Sequence, residues 1–375
     1  MQTIAQGWLV LKLSNNALDL GLMGLVRALP LIAFSLVGGA SADFVDRRKL
    51  LYITQTVLAT TALTLGILTW LGYVQVWQIY ILSFINGIAQ AFDQPTRQSL
   101  VPRLVPREDL LNALALNSMA FQGAALFGPT ATALLVPYIG LQGAFFANAL
   151  SFGSVIVALT FMELPVGAAA QRTHSVWEDL VAGIRYATAN KSIMALLLIG
   201  AITSVFGRGY NAFLPVFADR VLHVGIQGLS VLSTSVGAGT IVFALAVASL
   251  GPGFRHKGKL VVVAALAFAM FLSVYAWSPY FYLTLLALFL VGGLNVAMMS
   301  TINTTVQTLT RDEVRGRVMS LFTIVNMAGM PLGQAPLGWF IDRVGPSVAV
   351  STGATIVFVG VLAVVLSIRQ LWLTQ

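Results

Sequence analysis

Two arginines, Arg27 and Arg208, stand deep inside long apolar runs of this sequence. A guanidinium carries five N–H donors and no acceptor and stays charged, so in such a place it suits an anionic or polyhydroxylated ligand. Counted along a helix at about 1.5 Å per residue, the two lie at similar depths from the outer helix ends. No acidic residue in the chain has a comparable depth. Snorkelling, bonds to backbone carbonyls, and pairing with outer acids such as Asp19 and Asp219 are the competing readings. Asn86, Gln90 and Asp93 follow at i, i+4 and i+7, one polar stripe on a helix that is expected to face a central cavity. Tyr210 and Asn295 join them as cavity candidates, with Asn117, Gln122, Asn211, Asn303 and Asn326 as further polar helix positions. Trp8, Phe213, Met298 and Met299 offer an adaptable apolar wall. Taken singly, each of these reads first as helix–helix packing.

The same inventory argues against catalysis. No nucleophile and base pair up within the apolar runs. His174, His223 and His256 fall in or beside loops without ligand spacing, and there is no cysteine, so neither a metal site nor a cofactor is expected. Gly237-Ala238-Gly239 and similar clusters lie inside apolar runs and read as packing, not as a nucleotide loop.

These residues must be positioned by helices in lipid. Of 375 residues 58% are hydrophobic and only 9% charged, with a mean hydropathy of +0.87. Soluble domains carry about a quarter charged residues, so a multi-pass protein of the cytoplasmic (inner) membrane is expected. Runs able to cross a bilayer, which needs about 20 residues, cover 20–41, 50–71, 75–95, 109–136, 140–162, 192–217, 226–250, 260–277, 279–302, 313–340 and 346–368. A shorter run, 1–13, precedes them. The fold class is therefore an all-α membrane protein with eleven whole transmembrane helices and a fragment of a twelfth.

An internal repeat orders the runs. One constant offset aligns Gly87 with Gly292, Val101 with Val306, Leu104 with Leu309, Gly128 with Gly333 and Gly140 with Gly345. With one residue removed, Arg107-Glu108-Asp109 also meets Arg311-Asp312-Glu313. Two pseudo-symmetric six-helix bundles are predicted, over 1–162 and 192–375. The offset sets Met1 against Phe206, midway along the seventh helix, which predicts that the chain starts inside its first helix. Between the bundles, 163–191 is the longest polar segment, and SVWEDLVAGIRYA within it reads as an amphipathic surface helix capped by Ser175. Nearly all Lys and Arg fall on one side of the predicted helices, leaving Lys12, Arg220 and Arg343 on the other. The net charge of +8 thus follows the positive-inside rule and calls for no nucleic acid.

The densest charge in the early chain is Gly38 to Leu51, GGASADFVDRRKLL, between the second and third runs. Gly39, Asp43, Arg47, Arg48 and Lys49 match the loop signature of the major facilitator superfamily, which the whole chain resembles. GLMGLVRALP, AFDQPTRQSLVPRLVPREDLLNALALNS and VRGRVMSLFTIVNMAGMPLGQAPLGWFIDRVG look like its efflux branch that includes the enterobactin exporter. The resemblance implies a gate: Asp43 would cap the helix starting near Arg311, and Asp93 would pair with Arg47 or Arg48, while the cytoplasmic side is closed. Simple anchoring of helix ends at the interface is the other reading. Gly128-Pro129 resembles the core of an antiporter motif, in part only, since Thr132 and Ala133 replace later glycines; close packing at a proline kink accounts for it equally.

The expectation that follows is a secondary active transporter, exporting a siderophore-like or drug-like organic molecule by alternating access. Proton antiport is the expected coupling, with Asp93 as the titratable group near the membrane, and a monomer among lipids the expected form. An importer, or a lipid-handling or scaffold protein of the same fold, is the alternative.

Overall fold

The computed structural model describes residues 1–44, 46–162, 176–250, 254 and 256–368, some of them by backbone alone. The described residues are helical almost throughout. In chain order the helices are α1 (Gln2–Ser14), α2 (Ala17–Phe44), α3 (Arg47–Leu71), α4 (Val76–Leu104), α5 (Leu110–Phe161) and α6 (Val176–Ala189). Then come α7 (Lys191–Val221), α8 (Gly225–Ser249), α9 (Lys257–Trp277), α10 (Phe281–Leu309), α11 (Asp312–Val344) and α12 (Pro346–Ser367). Nine helices among the described residues are long and apolar enough to cross a membrane. α4 has the length, but Asn86, Gln90, Asp93 and Arg97 lower its hydropathy, and in the first half of α5 several residues are described by their backbone alone. Hydrocarbon offers backbone groups no partners, so helices are the form these runs must take.

Contacts divide the chain into one unit of Met1–Thr173 and another of His174–Gln375. The linker before α6, residues 163–175 with the expected Ser175 cap, lies outside the described residues. α6 itself belongs to the second unit: a Cβ on its Gly183 would stand 2.7 Å from the carbonyl oxygen of Arg317 in α11.

The sequence repeat has a physical counterpart in two glycine pairs. Gly140 (φ 68°) separates the two halves of α5, and its partner Gly345 (φ 91°) separates α11 from α12. Both backbones sit where a Cβ is strained, so each outer turn between paired helices is made by a glycine. Gly87 brings α4 against α2 in the first unit, and Gly292 brings α10 against α8 in the second. A Cβ would lie 2.2 Å from the Arg27 carbonyl oxygen in one case and 2.4 Å from that of Val236 in the other.

Helix ends follow local chemistry. Asp46 caps α3, its Oδ1 accepting the Arg48 amide at 2.9 Å, and Asn190 caps α7 by accepting from Ser192 and Ile193. α7 is regular only to Ile202; a π turn spans Thr203–Gly207, a 3₁₀ stretch Arg208–Phe213, and a second π turn Phe217–Val221. Gly207 and Gly209 flank Arg208, and Pro215 follows. Two weak helix formers and a missing N–H explain why regular bonding fails there.

Candidate functional site

In the first unit, α4 presents one polar residue per turn, and each is bonded to a neighbouring helix or along α4 itself. Near its start the Tyr80 hydroxyl donates to Asp19 Oδ1 at 2.6 Å. Ser83 accepts from Gln6 of α1 at 2.7 Å. Asn86 donates to Thr61 of α3 at 2.9 Å, and Gln90 donates to Asn86 at 3.3 Å. Gln90 in turn accepts from the Arg27 guanidinium at 3.0 Å. Asp93, 5% exposed, accepts on Oδ1 from Thr54 at 3.1 Å and from Gln55 at 2.6 Å. Its Oδ2 pairs with Arg97 at 2.8 Å. The stripe expected to face a cavity is therefore largely turned onto α2 and α3.

In the second unit Arg208 leaves the irregular part of α7 and bonds the side-chain oxygen and the carbonyl of Asn326 in α11. Tyr210, one residue pair further, is 5% exposed. It packs edge-on against Tyr275 at 5.9 Å, with Phe217 against the same ring at 4.4 Å. Burial in this aromatic cluster turns Tyr210 away from the open surface. Among the described residues Asn295 Nδ2 is buried without a hydrogen-bond partner, as are Ser204 Oγ and Tyr275 Oη. An amide N–H in that state can receive an acceptor at no competing loss.

Arg27 and Arg208 thus share one arrangement, each within its own unit. Each guanidinium rests on a neutral carboxamide, and among the described residues no carboxylate lies within ion-pair distance of either. Asp19 is taken by Tyr80, and Asp342 pairs with Arg220 at 3.6 Å. A cation solvated by oriented dipoles keeps its full charge toward an incoming ligand.

At the charged turn, the surroundings of Gly39 and the side chains of Asp43 and Arg47 lie outside what is described, as do the side chains of Asp312 and Glu313. Arg48 donates to the Thr160 carbonyl at 2.9 Å, at the carboxyl end of α5, and lies over the Tyr52 ring at 5.9 Å. That is where a helix dipole favours a cation. It places Arg48 away from Asp93, whose cationic partner here is Arg97. Lys49 is exposed. Thr132 donates back to the Gly128 carbonyl at 3.0 Å, and Pro129 follows Gly128 within the helix. Among the described residues no cluster of His, Asp or Glu could hold a metal ion.

Sequence reading passed over Thr54, Gln55, Thr61 and Arg97. The signal was present: Thr54 and Thr61 sit on α3 at depths that match Asp93 and Asn86 on α4.

A family model described as transmembrane secretion effector matches residues 1–371. The chain belongs to this family of the major facilitator superfamily. The transporter is similar to macrolide efflux protein A of Streptococcus pyogenes, with 24% identity over 342 residues, 88% of this chain and 83% of that protein. It is also similar to the multidrug efflux pump Tap of Mycolicibacterium fortuitum, 23% identical over 91% of this chain and 85% of Tap. The enterobactin exporter EntS of Shigella boydii serotype 4 is 24% identical over 95% of this chain and 82% of EntS. In fold it resembles the nucleoside transporter NupG, at a TM-score of 0.76 and 16% identity over 99% of this chain and 95% of NupG. The xylose transporter XylE from E. coli matches at 0.69 and 12%, over 96% and 94%. The protein is a multi-pass transporter of the cytoplasmic membrane and not an enzyme.

Proposed function

We propose that the transporter exports small organic molecules by alternating access as a secondary active carrier, and that Arg27 and Arg208 recognise an anionic, siderophore-like part of the cargo. The observation that carries this reading is the partly buried arginine held on a carboxamide, found once in each unit. The efflux relatives support the direction, and the name of one of them, enterobactin exporter, fits a catecholate anion. Asn295, whose buried amide has no partner among the described residues, is a further polar group of the second unit offered to cargo. Asn86 and Tyr210 bear on the cavity only indirectly, through the residues they hold.

Proton antiport is the proposed coupling, with the charged turn (Gly39, Asp43, Arg47, Arg48 and Lys49) and Asp93 as the gate. Family membership supports the gate, and Gly128-Pro129 supports antiport. The carrier is taken to act as a monomer in lipid. The test is export from proteoliposomes. Enterobactin and a macrolide are supplied separately, with and without an imposed pH gradient. Preference for enterobactin, abolished by Arg27→Gln with Arg208→Gln, is the expected result; equal handling of both cargoes by the double variant and the parent contradicts it.

A second reading, lipid handling, is favoured by one feature of the second unit. An apolar groove runs between α7, α11 and α12, lined by Val205, Phe206, Leu332, Pro336, Trp339 and Ile356. Phe206, Leu332, Trp339 and Ile356 are all exposed on it. Transfer of a fluorescent phospholipid by the reconstituted protein, without any export of enterobactin, would select this reading.

A further inference from the structure

Arginine only donates hydrogen bonds, and this property orders a whole chain of side chains in the first unit. Gln90 must meet Arg27 with its carbonyl, and Oε1 does so at 3.0 Å. Its NH₂ is then left to point onward, and it donates to Asn86 Oδ1 at 3.3 Å. Asn86 has to turn its own NH₂ the other way, toward Thr61 Oγ1 at 2.9 Å. The Thr61 proton goes last to the Leu58 carbonyl at 3.0 Å. Four bonds run head to tail in one sense, from a cation on α2, along α4, to the backbone of α3.

The polarity matters because each link presents its oxygen toward Arg27. Aligned dipoles strengthen one another in a poorly polarisable interior, and here every negative end faces the guanidinium. Asn86 and Thr61 are 8% and 5% exposed, so water does not screen them well. The nearest acids are engaged elsewhere: Asp19 accepts from Tyr80, and Asp93 from Thr54, Gln55 and Arg97.

We propose that Thr61, Asn86 and Gln90 form a polarised hydrogen-bond relay that fixes the Arg27 guanidinium while leaving its charge uncompensated. Thr61 and Asn86 are then positioning residues, and Gln90 sets the preference for an anionic ligand. A network that merely satisfied buried polar groups would give Gln90 no such role, because glutamate would satisfy Arg27 at least as well. The inference rests on the reading of Arg27 as a cargo contact.

The test uses the whole chain in proteoliposomes with enterobactin as cargo. Thr61→Val and Asn86→Leu are expected to raise KM about tenfold with kcat unchanged, and Thr61→Ser, which keeps the hydroxyl, to restore KM. Gln90→Glu keeps the acceptor for Arg27 but neutralises its charge and loses the NH₂ that donates to Asn86, and should raise KM further still. A normal KM in Gln90→Glu overturns the relay, as does a fall in kcat with Thr61→Val that Thr61→Ser does not reverse. Thermal unfolding gives a measurement free of cargo. Arg27 and Thr61 are joined through two intervening side chains, yet the melting shifts of Arg27→Gln and Thr61→Val should be non-additive in the double variant. Additive shifts reject the relay. If Arg27→Gln leaves KM unchanged, the anion reading of the site fails, and this thermal cycle alone decides the relay.

Discussion

A Cβ on Gly87 would stand 2.2 Å from the backbone oxygen of Arg27. The backbones of α4 and α2 therefore touch at the level where α2 carries Arg27, and this contact lets Gln90, one turn away, reach the guanidinium. Gly87→Ala must part the two helices, since the clash is with backbone and no flexible side chain can yield. Overpacking of this kind destabilises by about 1–3 kcal/mol. A lower melting temperature together with a raised KM for enterobactin is expected. Gly153→Ala serves as the control, because its Cβ would meet nothing within 4 Å.

Charge recognition is checked by Arg27→Gln and Arg208→Gln taken singly. Each removes a charge-assisted contact of about 1.5–3 kcal/mol, so KM for an anionic cargo should rise at least about tenfold. Transport of a cationic cargo should be spared. Unaltered kinetics with every anion tried would show that both arginines serve packing alone.

Asp93 should matter more to stability than its partner Arg97. The carboxylate is buried and accepts three hydrogen bonds, whereas the Arg97 side chain is 48% exposed and keeps access to water. Asp93→Asn exchanges one acceptor oxygen for an NH₂ donor that must face either Arg97 or the Thr54 and Gln55 donors, a loss of about 2–4 kcal/mol. Arg97→Ala should lose about 1 kcal/mol or less. Thermal unfolding of both variants in one detergent ranks them, and the reverse order would contradict the assignment.

The gate makes a prediction of a different kind. Asp43→Asn and Arg47→Ala should cut export several-fold while the amount of protein in the membrane stays constant. Export normalised to membrane protein is the measurement. Full activity in both variants would leave these charges with an anchoring role only.

Much of this protein was legible without coordinates, for a physical reason. Lipid accepts only backbones that satisfy themselves, so hydropathy alone located the helices, and the family loop and the repeat were readable as spacing. The aligned glycines recur as Gly140 and Gly345 with positive φ, and as Gly87 and Gly292 at close helix contacts. That Arg27 and Arg208 lie inside apolar runs was also a property of sequence, although the irregular turns of α7 around Arg208 were not.

What the sequence could not decide was the partner of each polar side chain. Asn86, Gln90 and Asp93 were read as a stripe facing a cavity, and they turn onto α2 and α3. Tyr210, read as a cavity candidate, is buried on Tyr275. Arg27 meets Gln90 across 63 residues and Arg208 meets Asn326 across 118. Periodicity states that such residues share a face, but only the rotation and the neighbours of each helix state what that face meets. Whether an arginine inside an apolar run receives a carboxylate or a carboxamide is set at that level alone, and on it rests whether the charge remains available to a ligand.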